Sequence, residues 1–388
     1  MQIANRMAQV SPSATLKLTS KAKEMKQKGL PVLSFGAGEP DFDTPQAVKD
    51  EAVKSLAAGF TKYTPTSGIP ELREAVCRKF SEDQGLSYQP ENVVISCGAK
   101  HSLYNLIQVL CNPGDEVIIP TPYWVSYPEM VYLAGGRPVF VETSQSEGFR
   151  LTAARLKAAI TPKSKLLILN SPSNPTGGIL EEKDLCAIAE VALKHNLVVI
   201  SDEIYEYYLY KNLKHVSIAS LGEELKKVTF VVNGTSKSYS MTGLRIGYLA
   251  GDVEVVKKIG ILQDHSTSNP TSISQKMAVA ALGLPKSYRA DVRAIFEKRS
   301  QLMLGLLSQV PGFKPFVPEG AFYVFCDIGG TGLSSETLCE RLLQEIYVAV
   351  IPGKSFGSDR HVRFSFAAGE KDIQEGLARV IDWAKTKK

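Results

Sequence analysis

An α/β fold in two parts is what this sequence predicts: a large domain over 45–280 with a mostly parallel central sheet, and a smaller α+β domain made from 1–44 and 281–388. Three observations carry that expectation. Apolar strand-like runs alternate with amphipathic stretches from about residue 46 to 280, the pattern of parallel strands joined by helical crossovers. Beyond residue 285 the alternation gives way to a long charged helix, short strands and a closing helix. The 388 residues are also too many for one simple core, so the change of pattern reads as a change of domain.

Composition narrows the function classes. Apolar residues make up 44% and charged residues 22%, as in ordinary globular proteins. The net charge of +5 is spread along the chain, with no basic block and no interleaved aromatic run, which argues against a nucleic-acid surface. Six cysteines, at 77, 97, 111, 186, 326 and 339, include no CxxC pair and read as reduced thiols; no metal site is expected. The N-terminus lacks an apolar secretory core, and no run of about 18 apolar residues occurs, so the expectation is a cytoplasmic protein that does not enter a membrane.

Taken in order, residues 16–28 have helical spacing, closed by Gly29 and Pro31. Gly36-Ala37-Gly38 follows an apolar run, but the third glycine of a dinucleotide fingerprint is missing and Pro40 and Pro45 block the helix it would need. Helices are expected over 46–58 and 70–84, with a loop at Thr61-Lys62-Tyr63-Thr64-Pro65 between them. The strand 92–96 runs into Gly98-Ala99-Lys100 and an apolar helix. That turn is either an anion site, from free N–H groups and a positive dipole end, or a plain strand-to-helix turn.

The strand 116–119 leads to Trp124, placed either to stack on a flat ring or to fill a core. A strand at 166–169 enters Asn170-Ser171-Pro172-Ser173-Asn174-Pro175-Thr176-Gly177, and one at 197–200 enters Ser201-Asp202-Glu203-Ile204-Tyr205. A carboxylate at the end of an apolar strand is costly unless paired; Asp202 could pair with a pyridinium N–H or cap the next helix. The strand 228–232 precedes Ser236-Lys237-Ser238, with Arg245 eight residues after the lysine. Burial and a neighbouring cation would lower the Lys237 pKa, so that its free amine could attack a carbonyl and form a Schiff base; the alternative is a solvated loop lysine.

In the smaller part, a charged helix spans about 286–309, followed by strands at 321–325, 348–353 and 361–366. Arg363 alternates with apolar neighbours on the last of these, an unusual place for an idle arginine, and its fork matches a carboxylate.

The segment 236–248, SKSYSMTGLRIGY, resembles the lysine signature of the class I aminotransferases, in the fold type I superfamily of pyridoxal 5′-phosphate (PLP) enzymes. PSAT at 12–15, GAGEPDFDTP at 36–45, TKYTP at 61–65 and HVRFSFA at 361–367 extend the likeness over nearly the whole chain, closest to the bacterial and plant branch of aspartate aminotransferases. The resemblance implies that Lys237 carries PLP and is the general base, that Asp202 pairs with the ring nitrogen, and that Asn174 and Tyr205 hold the 3′-oxygen. It implies that Trp124 stacks on the ring. The phosphate would lie among Gly98, Ala99, Lys100, Ser236, Arg245 and a Tyr63 reaching across a homodimer. Gly38 would let the backbone approach the amino acid, Arg363 would take its α-carboxylate, and Ser13, Thr15 and Lys100 would read the distal carboxylate.

Transfer of an amino group from aspartate to 2-oxoglutarate is the implied reaction, with small amino and oxo acids as the only other partners. Some members of this branch also use prephenate, often with a basic residue just before PSAT; Ser11 and Pro12 stand in that region here. Other amino donors or a PLP-dependent elimination would keep the same cofactor groups. A non-catalytic regulator would need an added DNA-binding module, for which the chain has no room. The likeness also implies a cis Asn174–Pro175 bond, turning Asn174 toward the cofactor as it leaves its strand.

Overall fold

The computed structural model describes residues 1–12 and 14–386, so the Ser13 assignment lies outside the described residues. Thirteen strands occur among them. They are β1 (Leu33–Ser34), β2 (Val93–Ser96), β3 (Glu116–Thr121), β4 (Arg137–Glu142), β5 (Ser164–Asn170), β6 (Val198–Asp202), β7 (Thr229–Gly234), β8 (Gly247–Ala250), β9 (Lys314–Pro315), β10 (Tyr323–Asp327), β11 (Val348–Ala349), β12 (Ile351–Pro352) and β13 (His361–Ser365).

Seven strands form the main sheet in the order β2-β8-β7-β6-β5-β3-β4. Pairing is parallel from β7 through β4, and β8 alone runs against its neighbours β7 and β2. The reason is connection length. Helices bridge the parallel neighbours, whereas only a loop and a single short turn separate β7 from β8, too little for a crossover. The central strands are buried along nearly their whole length, as continuous apolar runs covered by helices on both faces should be. The chain moves outward from β3 to β4 and then returns to β5 on the other side of β3, and ligands bind beyond the strand ends at such a reversal.

The second sheet, β12-β13-β10-β9, is antiparallel throughout, with Phe325 opposite Arg363 and Tyr323 opposite Ser365. β1 pairs in parallel with β11, which ties the N-terminal segment to the C-terminal part of the chain. The long helix forms at Lys286–Leu307, slightly shorter than its charge pattern suggested. Phe296 from that helix joins Phe322, Phe364 and Phe35 in an apolar cluster that also takes in Tyr205 and Tyr208 from the loop after β6. This cluster packs the second sheet against the carboxyl ends of the first, and the site lies at that seam.

Candidate active site

The loops leaving β2, β3, β5, β6 and β7 converge on one cavity of about 450 Å³, closed on the far side by Arg363 of β13 and by residues 36–39. β5, β6 and β7 are adjacent, with Asn170 opposite Asp202 and Asp202 opposite Val232, so three neighbouring strands deliver Asn174, Asp202 and Lys237 to the same place.

Lys237 donates to the Gly38 carbonyl across the cavity, and its own carbonyl accepts from Tyr208 Oη at 2.6 Å. Burial pushes the amine down to about 8; Glu39 and Asp202 oppose the shift, while Arg245 and Arg363 add to it. Asp202 is buried at the end of β6, and desolvation raises its carboxyl to about 6 in spite of a 2.7 Å hydrogen bond donated by Tyr127 Oη. Its other oxygen accepts from the Ile204 N–H at 3.3 Å in a turn. No helix follows at once, so the helix-cap alternative does not hold.

That turn is fixed from behind. Asp202 and Tyr205 face the cavity, whereas Glu203 and Glu206 face a buried polar cluster: Lys79 Nζ lies 2.6 Å from Glu206, and Ser217 Oγ and His215 Nε2 lie 2.6 and 2.8 Å from Glu203. Two buried carboxylates so fully partnered leave the turn little room to rearrange.

Arg363 is 3% exposed. Its Nη1 donates to Asn174 Oδ1 and its Nη2 to the Gly36 carbonyl, both at 2.8 Å, while Nε has no partner among the described residues. Because the arginine takes the Asn174 amide oxygen, the amide NH2 is left as the donor that Asn174 presents. The Asn174 N–H donates to Asn170 Oδ1 at 2.8 Å, and the Asn174–Pro175 bond is cis, as expected.

At the opposite end, Gly98 (φ 88°) opens the helix Ala99–Leu110, whose first turn leaves N–H groups without intrahelical acceptors. Arg245, itself left-handed at φ 54°, donates to the Thr242 carbonyl at 2.8 Å and lays its guanidinium over Gly98. A Cβ on Gly98 would collide with that guanidinium, and one on Gly247 with the Ala99 nitrogen. Ser236 lines the same end.

Lys100 reaches the mouth of the cavity with Nζ 5.0 Å from the centre of the Trp124 ring; partial burial, helped by Arg245, lowers its pKa. Thr15, Thr19 and Gly38 also line the cavity from the N-terminal segment. Tyr63 is 91% exposed and outside the cavity of its own chain.

These groups could hold PLP. A partly buried amine of lowered pKa for the aldehyde, a buried carboxylate for the ring nitrogen, an amide NH2 for the phenol oxygen and a side-chain-free cradle with Arg245 for the phosphate make a complementary donor set.

Sequence reading missed several members of the site. Tyr127 stands in the first turn of the helix Ser126–Leu133, three residues after Trp124, whose carbonyl accepts from its N–H at 3.0 Å; that nearness in sequence was the available signal. Tyr323 sits in an apolar strand, where a tyrosine hydroxyl needs a partner; it finds Tyr205 Oη at 2.9 Å. Glu39, which accepts from Thr242 Oγ1 at 2.6 Å at the cavity rim, and Asn170 carried no signal of their own.

A family model described as aminotransferase class I and II matches residues 31–381. The chain is 49% identical over 385 residues to an aspartate aminotransferase of Geobacillus stearothermophilus, covering 98% of each. It is 44% identical to a probable aspartate/prephenate aminotransferase of Aquifex aeolicus, covering 97% of each. Among solved structures, the aspartate aminotransferase of Thermus thermophilus with maleate superposes with a TM-score of 0.95 at 42% identity, over 98% of this chain and 99% of that one.

Proposed function

We propose, from the premise that this chain belongs to the class I and II aminotransferases, that it moves the amino group of L-aspartate to 2-oxoglutarate, giving oxaloacetate and L-glutamate in two half-reactions at one site. Three groups meeting in one cavity carry this reading: a partly buried lysine lowered to about 8, a buried aspartate raised to about 6, and a buried arginine whose Nε–H is unpartnered among the described residues. PLP, on which this family generally depends, supplies an aldehyde and an electron-accepting ring when bound.

Lys237 is the attachment point and the base. With a pKa of about 8, roughly a quarter of the amine is neutral at pH 7.5, against about one part in a thousand for an ordinary lysine. With PLP bound, its Nζ would take the proton from the substrate Cα and deliver it to the C4′ carbon of the cofactor. Asp202, steadied by Tyr127, keeps a negative charge against the ring nitrogen. Asn174 and Tyr205 would donate to the 3′-oxygen, and Trp124 would cover one face of the ring.

Arg363 receives the α-carboxylate, which fixes the Cα–H bond in front of Lys237. At the rim, Lys100 and Thr15 face the distal carboxylate. A relative solved with maleate, a four-carbon dicarboxylate, supports that choice of substrate. The free N–H groups after Gly98, with Ser236 and Arg245, would hold the phosphate, joined by Tyr63 from a second copy of the chain in a homodimer. Six unpaired cysteines among the described residues support a reducing compartment such as the cytoplasm.

Two measurements test the reading. Borohydride reduction and peptide mapping should place a pyridoxyl group on Lys237, and a label on any other lysine would sink the mechanism. A steady-state panel of amino donors with 2-oxoglutarate should rank aspartate first. Prephenate, favoured by the likeness to aspartate/prephenate aminotransferases, belongs in the acceptor panel; with Ser11 and no basic residue just before PSAT it should be the poorer acceptor.

A further inference from the structure

We propose that Tyr323 is a positioning residue whose hydroxyl donates to Tyr205 Oη and thereby commits the Tyr205 proton to the cofactor's 3′-oxygen. The inference rests on the reading that Lys237 carries PLP and that Tyr205 serves that oxygen.

Both rings are buried, and the two hydroxyl oxygens lie 2.9 Å apart, each the other's hydrogen-bond partner among the described residues. Each hydroxyl has one proton, and only one of the two can lie between the oxygens. If Tyr205 donates to Tyr323, Tyr205 can only accept from the cavity, where the 3′-oxygen is itself an acceptor, and two lone pairs would face each other. If Tyr323 donates, the Tyr205 proton is free to point into the cavity. The pair therefore has one productive polarity.

What selects it is Arg363. Its guanidinium carbon lies 4.4 Å from the centre of the Tyr323 ring, and a positive charge held over a phenol makes that phenol the better donor. Burial raises both hydroxyls, and Arg363 opposes the rise more directly at Tyr323 than at Tyr205. β10 holds the arrangement because Tyr323 pairs with Ser365, two residues beyond Arg363 on β13. Gly38 leaves room on the open side, since a Cβ there would stand only 3.3 Å from Tyr323 Oη. One buried arginine thus faces the substrate carboxylate, fixes the Asn174 amide and polarises the tyrosine pair. The last two of these interactions converge on the 3′-oxygen.

The test reads the visible absorbance of the lysine-bound cofactor against pH, which reports how tightly the proton between Lys237 Nζ and the 3′-oxygen is held. A donor to that oxygen withdraws charge and lowers the midpoint, so its loss raises it. Tyr205→Phe should raise the midpoint by roughly one to two pH units and Tyr323→Phe by roughly half a unit, the usual scale for a direct donor and for the neutral hydrogen bond behind it. In the Tyr205→Phe background, Tyr323→Phe should add nothing, because its effect passes through the Tyr205 hydroxyl. Phenylalanine keeps the ring under Arg363, so the packing is retained. The proposal is overturned if Tyr323→Phe leaves the midpoint in place while Tyr205→Phe moves it, or if it shifts both backgrounds equally. If Tyr205→Phe itself has no effect while borohydride still labels Lys237, the assignment of Tyr205 to the 3′-oxygen is wrong, and the role of Tyr323 falls with it.

Discussion

Tyr127→Phe removes one hydroxyl and should change how cofactor affinity depends on pH. In the native site that hydroxyl donates to the buried Asp202 carboxylate at 2.7 Å, and Asp202 titrates at about 6. A hydrogen bond to a charged group is worth about 1.5–3 kcal/mol, and about 1.4 kcal/mol is one pKa unit, so the variant should titrate near 7 to 8. The ring nitrogen needs the ionised carboxylate, and the cofactor-free variant escapes by binding a proton. The affinity lost relative to the native enzyme is then the extra work of removing that proton: roughly 5–50-fold at pH 6, roughly 2–10-fold at pH 7, and close to none at pH 9. Equilibrium titration of both cofactor-free proteins with PLP at the three pH values gives the ratio directly. A loss that stays the same from pH 6 to pH 9 would refute the reasoning, since it would mean that Tyr127 supports the cavity without acting on the Asp202 charge.

Lys100→Ala should cost aspartate and glutamate about 2 kcal/mol in kcat/KM, or roughly 30-fold, and monocarboxylic donors much less. That is the low end for a lost charge partner, as suits a lysine at the rim, and equal losses for both classes would place Lys100 with the phosphate or the fold. Asp202→Asn should stabilise the cofactor-free protein. A carboxyl raised from 3.8 to about 6 on folding contributes stability at acid pH that is lost as pH rises through about 6, so the urea-unfolding gain should grow from roughly 1.5 kcal/mol at pH 5 to roughly 3 kcal/mol at pH 7.5. A gain that shrinks over that interval contradicts the raised pKa. Mixing Tyr63→Phe and Lys237→Ala subunits should regenerate one unaltered site per hybrid dimer, and hybrids no better than their parents would show that Tyr63 serves its own chain.

Much of this protein was legible in the sequence, because the groups that follow its main-sheet strands sit at one repeated kind of place. Strand periodicity marks where each apolar run stops, and in a parallel sheet those stops lie along one edge; the order in which Gly98, Trp124, Asn174, Asp202 and Lys237 occur therefore already put them on a common rim. Arg363 was legible for a related reason, as a charge where the strand pattern demanded an apolar side chain.

What the sequence could not set is which of these groups touch. Tyr127 and Asp202 are 75 residues apart, Tyr205 and Tyr323 118, and Arg363 and Asn174 189. No periodicity links positions at such separations; their contact depends on strand order, on β8 reversing direction, and on the second sheet docking through Phe296, Phe322 and Phe364. The pKa values follow the same division. The sequence determined that a lysine, an aspartate and an arginine stand at strand ends or on a strand. Only the packed structure, by excluding water and fixing which charges face each other, decided that the lysine falls to about 8 and the aspartate rises to about 6.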